Sequence, residues 1–382
     1  MTNYLVTHNL PTLSFNINGA LELGVESARV SVIDDTLELP RSMLGLREHL
    51  LSFTHNELIS QQAIVQFRLA PTFPIGTETT FADIAKVSGL VESNKRQIIR
   101  LAIVQDIFSE PSPCVIHHNA VSRLLVENEA IHDWVGASTD DLWQGAAQAC
   151  NASSKFPGSQ EPNETDFALG HQTTSSMYGY LSQHPERARR FGNAMLSFTE
   201  GTGFELNHIT DNFPWSYLGN GTVVDFPSLS FVVQDLDPVV VAAQEAVPSD
   251  LANRVKFAAY NFLSGGKPVQ GADVYFFRWI FYNWSDKYCH KILRNLIPAL
   301  KPGAKIIVND NALPEPGVLQ RWKEARLRSM DLTMAEIRNS REQKLDDWTA
   351  LFKEADPRFE FQGSICPPGS VLWLLVLEWK GN

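Results

Sequence analysis

The sequence predicts an α/β fold in which a mostly parallel sheet, covered by helices on both faces, occupies the C-terminal part of the chain. From Thr222 onward, short β-rich runs alternate with helical ones, a pattern typical of parallel strands joined by helical crossovers. The 382 residues suit two or three domains. With 44% apolar residues and 22 Phe, the chain can bury the cores that such domains need.

Charge and cysteine content exclude several classes of function. The chain has 32 basic and 43 acidic residues, a net charge of −11, which disfavours nucleic acid as its main ligand. Its four cysteines are widely spaced without a CxxC pair, which argues against a zinc cluster and a disulfide framework. No secretory signal pattern is present, and no apolar run reaches ~18 residues. We therefore expect a cytoplasmic protein that contacts neither membrane nor nucleic acid and has no metal site.

Residues 1–125 are predicted to form an N-terminal helical and winged-helix domain. Apolar residues recur over 34–53, which indicates a helix used for packing or dimerisation. Over 80–108 two helices joined at a glycine precede a short hairpin, the order of elements in a winged helix. Residues 80–125 contain five basic and four acidic side chains, too little charge for a DNA-binding surface. A structural or dimerising role is therefore favoured.

Residues 126–210 are predicted to be a helical bridge, and 211–382 the sheet domain. The strands are expected in the runs that begin at Thr222, Ser230, Val255, Asp273, Lys305, Phe359 and Val371. A Gly- and Pro-rich turn separates the last two runs, which suits an antiparallel hairpin at the edge of the sheet. The helix after Ser285 should be capped by that residue, and Lys301-Pro302-Gly303 should end it.

One group of motifs resembles a known family. Residues 273–289 contain Arg-Trp-Ile-Phe-Tyr-Asn-Trp-Ser-Asp, and Pro298-Ala-Leu-Lys-Pro-Gly and Asn339-Ser-Arg-Glu follow. From about residue 60 to the end, the chain resembles the S-adenosylmethionine-dependent O-methyltransferases of plant and fungal secondary metabolism. The resemblance implies an N-terminal winged-helix dimerisation domain, a Rossmann-like methyltransferase-fold domain and a homodimer.

The first βα unit departs from that family. There, a Gly-rich loop and a helix follow the first strand and approach the cofactor. Here only five residues, 225–229, separate Val224 from Ser230, whereas a helical crossover requires at least ~10–12 residues. Gly219-Asn220-Gly221 precedes the strand, so it cannot supply the loop. We expect a truncated first βα unit, no bound cofactor, and S-adenosylmethionine binding that is lost or weak.

Site residues depart from the family as well. Asn261 stands where the resemblance implies a cofactor-binding acid, and Tyr282-Asn283 replaces a His-Asp pair whose histidine removes the acceptor's proton. A tyrosine of pKa ~10 is protonated at neutral pH and cannot serve as that base. Asp235 still matches the ribose-binding acid, as a remnant of the cofactor site. Glu342 matches the acid that orients the catalytic histidine.

This combination is similar to the O-methyltransferase-like pericyclases of fungal 2-pyridone alkaloid biosynthesis, the leporin-type enzyme and its Alder-ene and hetero-Diels–Alder relatives. The resemblance implies that a polyketide-derived 4-hydroxy-2-pyridone alcohol is dehydrated to a quinone methide, which then cyclises stereoselectively without methyl transfer. The implied catalytic residues are His132, Tyr282, Asn283 and Glu342. The implied substrate pocket is Phe167, His171, Met177, Tyr178, Trp279 and Met334. An S-adenosylmethionine-dependent O-methyltransferase of a secondary-metabolite phenol and a non-catalytic scaffold remain as alternatives, and each of these residues could instead be ordinary packing.

Overall fold

The computed structural model describes residues 23–44, 46–53, 56–89, 91–215, 231–266 and 268–381. These residues divide into two compact units. The smaller unit contains the described residues of 1–54 and 313–331. The larger unit contains the described residues of 55–312 and 332–382. All the predicted site residues lie in the larger unit.

The smaller unit contains two helices, α1 (Leu23–Met43) and α2 (Leu46–Leu51), where the sequence predicts one helix over 34–53. Gly45, a residue type of low helix propensity, falls between them. On α1, Asp34 accepts a hydrogen bond from the backbone N–H of Trp322 at 2.7 Å. The large apolar side chains predicted for packing are mostly exposed in this unit: Leu37, Leu39, Met43, Leu44 and Leu50.

The larger unit begins with a helical module that includes a three-stranded sheet. Its elements are α3 (Asn56–Gln66), β1 (Glu78–Thr80), α4 (Phe81–Ser88), α5 (Glu92–Val104), β2 (Phe108–Ser112) and β3 (Val115–His118). Thr80 caps α4 by accepting a hydrogen bond from the N–H of Asp83. Gly89 ends α4 with a φ of 68°, which glycine adopts without strain. The strands lie in the order β1-β3-β2, so the predicted helix pair and hairpin are confirmed.

Short helices fill the next hundred residues, where a helical bridge is predicted. They are α6 (Ala120–Glu127), α7 (Glu129–Gly136), α8 (Trp143–Ala146), α9 (Ala149–Lys155), α10 (Asp166–Gly170), α11 (Met177–Leu181), α12 (Pro185–Thr199) and α13 (Asn207–Thr210). A π-helical turn, Ala137–Leu142, links α7 to α8. Arg190 of α12 pairs with Asp140 and Asp141 of this turn at 3.0 and 2.8 Å, which fixes α12 against it. The predicted domain boundaries at 125 and 210 remain predictions.

Strands and helices alternate through the rest of the described chain. They are β4 (Phe231–Asp235), α14 (Asp237–Ala246), β5 (Val255–Ala259), β6 (Val274–Arg278), α15 (Asp286–Leu296), β7 (Lys305–Asp310), α16 (Arg321–Arg338), α17 (Leu345–Ala355), β8 (Phe359–Ile365) and β9 (Trp373–Trp379). Strands β4 and β5 form a parallel pair, and the other four form a mixed sheet in the order β6-β7-β9-β8. The predicted antiparallel hairpin is confirmed by the pairing of β8 with β9. The strand predicted at Thr222 and the short connection 225–229 lie outside the described residues.

The core of this part lies between the mixed sheet and helices α15 and α17. Trp348 of α17, Leu293 of α15 and Leu375 of β9 are each 1% exposed or less. The predicted cap at Ser285 is wrong in one respect. Ser285 occupies the N-cap position, but its hydroxyl donates to the carbonyl of Gln160 at 2.8 Å and makes no capping bond. Because that oxygen lies outside the sheet domain, Ser285 instead ties α15 to the helical segment.

None of the helices within the described ranges is long and apolar enough to cross a membrane.

Candidate functional site

The carboxyl ends of β6 and β7 position the predicted Tyr282. Trp279 follows β6 with a φ of 57°, a left-handed conformation that is rare for a non-glycine residue and often found at functional sites. This reversal leads into a short 3₁₀ turn, Phe281–Asn283. The backbone N–H of Tyr282 donates to Oδ2 of Asp310, the last residue of β7, at 3.2 Å. Sites in open α/β sheets commonly form at this edge.

Tyr282 is held as a neutral phenol. Burial is the main cause of its raised pKa, and the negative potential of Asp310 and Tyr178 adds to it. A hydrogen bond with the Asn283 side chain and the charge of Arg338 oppose that rise only in part. Tyr282 is therefore a hydrogen-bond donor and not a proton acceptor at neutral pH.

Asp310 is a site residue that the sequence reasoning missed. Its carboxyl group is fully buried, and burial raises its pKa to about 7, although hydrogen bonds from backbone N–H groups, that of Tyr282 among them, lower it. Oδ1 has no hydrogen-bond partner among the described residues. An acid at the last position of a parallel strand was the available signal. Asp310 can therefore exchange a proton near neutral pH.

Arg338, at the end of α16, was missed as well. It is 3% exposed, and its guanidinium carbon lies 3.5 Å from the centre of the Tyr178 ring. Its Nε has no hydrogen-bond partner in the part of the chain that the structure describes. The sequence shows only a polar helix end, where an arginine is usually solvated. The structure instead places its charge beside Tyr282 and Tyr178.

Aromatic side chains connect this site to the helical segment. The ring of Trp279 lies 5.2 Å from Tyr282, 5.3 Å from Phe204 and 5.8 Å from Phe198. Phe198 in turn stacks on Trp134 of α7 at 5.5 Å. The indole N–H of Trp279 is buried and has no partner within the described ranges. Tyr282 thus has an apolar neighbourhood that includes an unused donor.

The contacts in the described part of the chain do not join His132 to Tyr282. His132 lies two positions before Trp134 on α7, so the two side chains leave the helix on different faces. It is 7% exposed, neither ring nitrogen has a hydrogen-bond partner, and Nδ1 lies 3.9 Å from a carboxylate oxygen of Asp133. Burial, and then the charge of Arg68, lower its pKa. A catalytic role for His132 stays a prediction.

Three of the predicted pocket residues are buried. Phe167, Met177 and Met334 are 0%, 1% and 6% exposed. His171 stacks on Phe167 at 4.2 Å, and its Nε2 donates to the carbonyl of Asp141 at 2.8 Å. Tyr178 differs from them because it is 46% exposed. Pocket lining by this set stays a prediction, although the ring of Trp279 lies 5.2 Å from that of Tyr282 and Tyr178 stacks on Arg338.

Asn283 and Glu342 occupy different positions around the site. Asn283 donates one amide N–H to the carbonyl of Trp279 at 2.9 Å, and its side chain also hydrogen-bonds Tyr282. Glu342 is 4% exposed, whereas its neighbour Arg341 is exposed and pairs with Asp286 at 2.9 Å. Glu342 is therefore not part of a solvated pair.

The residues implied for S-adenosylmethionine fit that cofactor only in part. Asp235 is exposed at the end of β4, where a carboxylate can bind ribose hydroxyl groups. Asn261 instead closes its own turn by accepting a hydrogen bond from the N–H of Leu263 at 2.9 Å. The segment 216–230, which precedes β4, lies outside the described residues. Asp235 thus keeps an acid at the implied ribose-binding position, whereas Asn261 provides no acid at the other implied cofactor position.

Comparison with known proteins shows similarity along nearly the whole chain. Residues 218–357 match the O-methyltransferase domain model. The grayanic acid biosynthesis cluster O-methyltransferase of Cladonia grayi is 38% identical over 99% of this chain and 84% of that protein. O-methyltransferase pyvH of Aspergillus violaceofuscus is 35% identical over 99% of this chain and 95% of that protein.

Solved structures share the fold at lower identity. OxaC has a TM-score of 0.80 with 18% identity, covering 95% of each chain. LepI in complex with SAM has a TM-score of 0.73 with 18% identity, covering 92% of this chain and 94% of that one. A structure described as a pericyclic reaction enzyme has a TM-score of 0.72 with 18% identity over the same shares.

Proposed function

This chain belongs to the O-methyltransferase family, and we propose that it is a pericyclase built on that family's fold. It dehydrates a 4-hydroxy-2-pyridone alcohol to a quinone methide and directs a stereoselective Alder-ene or hetero-Diels–Alder closure, without methyl transfer. The observation that carries this proposal is Tyr282. Its phenol stands where the resemblance places the methyltransferase base, and its raised pKa keeps it protonated beside Arg338.

Dehydration requires one proton to be delivered and one to be removed. The C–O bond of the side-chain alcohol breaks as its oxygen takes a proton and leaves as water, while the ring hydroxyl of the pyridone loses a proton. No electrons are gained or lost overall. Asp310, with a pKa of about 7, can take up the ring proton and pass it to the leaving oxygen, to which Tyr282 donates a hydrogen bond. His132 is a second candidate for the acid–base group.

Ring closure requires a folded substrate conformation and donors at the carbonyl that gains electron density. Holding reacting atoms in place lowers a barrier by several kcal/mol, and a preorganised donor contributes about 3 kcal/mol. The hydroxyl of Tyr282 and the side-chain amide of Asn283 are suitable donors. The aromatic rings around Trp279 exclude water from that carbonyl. Glu342, another of the predicted catalytic residues, is a further buried carboxyl group.

We further propose that the protein binds S-adenosylmethionine weakly or not at all. Two observations support this. Only five residues lie between Val224 and Ser230, too few for the helical crossover expected there. The side-chain oxygen of Asn261 already accepts a hydrogen bond within its own turn. Asp235 alone provides one ribose contact, which is too little for a tight complex.

The second candidate is an S-adenosylmethionine-dependent O-methyltransferase of a secondary-metabolite phenol. The two relatives named above favour it, since both carry the O-methyltransferase name and are matched over 84% and 95% of their length. In that case Asp310 is the residue that can take the phenolic proton in place of a histidine.

We also propose that the N-terminal module is a winged-helix dimerisation domain of a cytoplasmic homodimer. An apolar groove of about 270 Å³ opens between α3 of this module and the adjoining helices α6 and α7. The lining residues are Gln61, Ile64, Gln105, Ile107, Val121, Leu124, Leu125, Ile131 and Val135. Val121 and Leu124 are 46% and 44% exposed, and a second copy of the chain would cover them.

Titration calorimetry with S-adenosylmethionine and S-adenosylhomocysteine, followed by product analysis with pyridone alcohols, tests the proposed activity. We expect no heat of binding at micromolar cofactor, and cyclised products at a higher rate and stereoselectivity than without enzyme. Tyr282→Phe should change the ratio of cyclised products. Tyr288→Phe, which loses a hydrogen bond to Glu161, is the matched control. Micromolar cofactor binding with methylated phenols as products would favour the second candidate instead.

A further inference from the structure

Arg338 is a buried cation without an acidic partner. Its side chain lies at the end of α16 and is 3% exposed. Among the described residues no carboxylate forms an ion pair with it, and the groups that favour its charge are Tyr178 and Tyr282. Burying a charge without a counter-ion is strongly unfavourable. An anion bound beside Arg338 would remove that penalty.

The guanidinium of Arg338 has an N–H donor that no described residue uses. Its Nε is buried without a hydrogen-bond partner in the described part of the chain, and a guanidinium presents its N–H groups in a plane suited to an oxyanion. The nearest acid on its own helix, Glu336, lies two positions earlier and so on a different face, where it interacts with Asp166. Tyr282 adds a protonated hydroxyl close to the same point.

Tyr178 covers the guanidinium from the solvent side. Its ring lies 3.5 Å from the guanidinium carbon, yet it is 46% exposed. Tyr178 lies on α11, a helix of only five residues, Met177–Leu181. A flat conjugated ring inserted between the two groups would keep the same stacking interaction with the cation while its oxygen reached the free N–H.

We propose that Arg338 and the hydroxyl of Tyr282 bind an ionised oxygen of a flat, conjugated ligand, with Tyr178 stacked over it. The oxygen could belong to a ring enolate or phenolate or to an aromatic carboxylate. This deepens the proposed function because a 4-hydroxy-2-pyridone carries an acidic ring hydroxyl. Anion binding itself does not depend on whether a pyridone is cyclised.

The absorbance of bound 4-nitrophenol tests this site directly, since the neutral and ionised forms absorb at different wavelengths. We expect wild-type protein to lower the apparent pKa of the bound probe by at least about 1 unit, a tenfold preference for the phenolate. Competition by benzoate, but not by benzamide, would show that a carboxylate is accepted too. Competition by 4-hydroxy-2-pyridone alone would restrict the site to ring oxyanions.

Variants separate binding by Arg338 from a structural role. Arg338→Gln should abolish the lowered probe pKa, and Arg338→Lys, which keeps the charge and guards against misfolding, should retain part of it. Arg326→Gln is the matched control, because Arg326 lies on the same helix and stacks on Trp322 at 5.1 Å but is exposed. The proposal would be overturned if Arg338→Gln lowered the probe pKa as much as wild type does. It would also be overturned if 4-nitrophenol, benzoate and 4-hydroxy-2-pyridone all failed to bind at millimolar concentration. Anion binding without cyclised products would instead count against the proposed reaction alone.

Discussion

A buried carboxyl group on α16 should make the stability of this protein depend on pH. Glu336 is 8% exposed, and burial together with the nearby charge of Asp166 raises its pKa from 4.5 to about 7. Burial raises the pKa of Asp166 too. Neither carboxyl group forms an ion pair with another described residue. The folded protein therefore holds the Glu336 proton more tightly than the unfolded chain does.

The sign and size of the effect follow from proton linkage. A carboxyl group whose pKa is raised by folding stabilises the fold while it is protonated, so its contribution is lost as pH rises from 4.5 towards 7. At about 1.4 kcal/mol per pKa unit, the whole rise corresponds to about 3 kcal/mol. Glu336→Gln removes the ionisation and keeps the shape. We expect this variant to gain about 2–3 kcal/mol of unfolding free energy relative to wild type between pH 5 and pH 8.

Urea unfolding followed by tryptophan fluorescence at pH 5, 6, 7 and 8 measures this difference. Asp310, whose pKa is also raised to about 7, is present in both proteins, so its contribution cancels in the comparison. Glu245→Gln removes an exposed carboxylate from α14 and should track wild type within about 0.5 kcal/mol at every pH. A difference between Glu336→Gln and wild type that stays constant across this range would refute the reasoning.

Two further predictions concern residues outside the Arg338 group. His132→Ala should slow turnover of a pyridone alcohol by ~10²-fold or more if its imidazole is the acid–base group, and an unchanged rate would remove His132 from the mechanism. Leu124→Glu, in the apolar groove, should halve the mass measured by sedimentation if a second copy covers that groove. Leu196→Glu, on α12 and 55% exposed, should leave the mass unchanged. Leu124→Glu would leave it unchanged too if the groove faced solvent.

The secondary structure was accessible from sequence because it depends on local patterns. Short β-rich runs, a glycine after α4 and the Gly–Pro turn before β9 each specify local backbone geometry, and those elements form where predicted. The cap at Ser285 failed because its hydroxyl has a partner 125 residues away, at Gln160, which no local pattern encodes.

The composition of the site was accessible only in part. Tyr282 and Trp279 were found because they belong to a contiguous motif. Asp310 and Arg338 were missed because their chemistry comes from burial: the same side chains at a surface would be an ordinary carboxylate and a solvated cation. Burial depends on contacts between α16, α11 and the ends of β6 and β7, which lie far apart in sequence.

The site consists mainly of hydrogen-bond donors, whereas proton abstraction by a neutral histidine requires a proton acceptor. A tyrosine with a raised pKa, an arginine without a counter-ion and an unpartnered indole N–H all donate hydrogen bonds, and Asp310 is the one acceptor among them that titrates near neutral pH. Such a set stabilises negative charge that forms on a bound oxygen. In the proposed dehydration, these donors would stabilise the ring oxyanion that forms on the way to the neutral quinone methide.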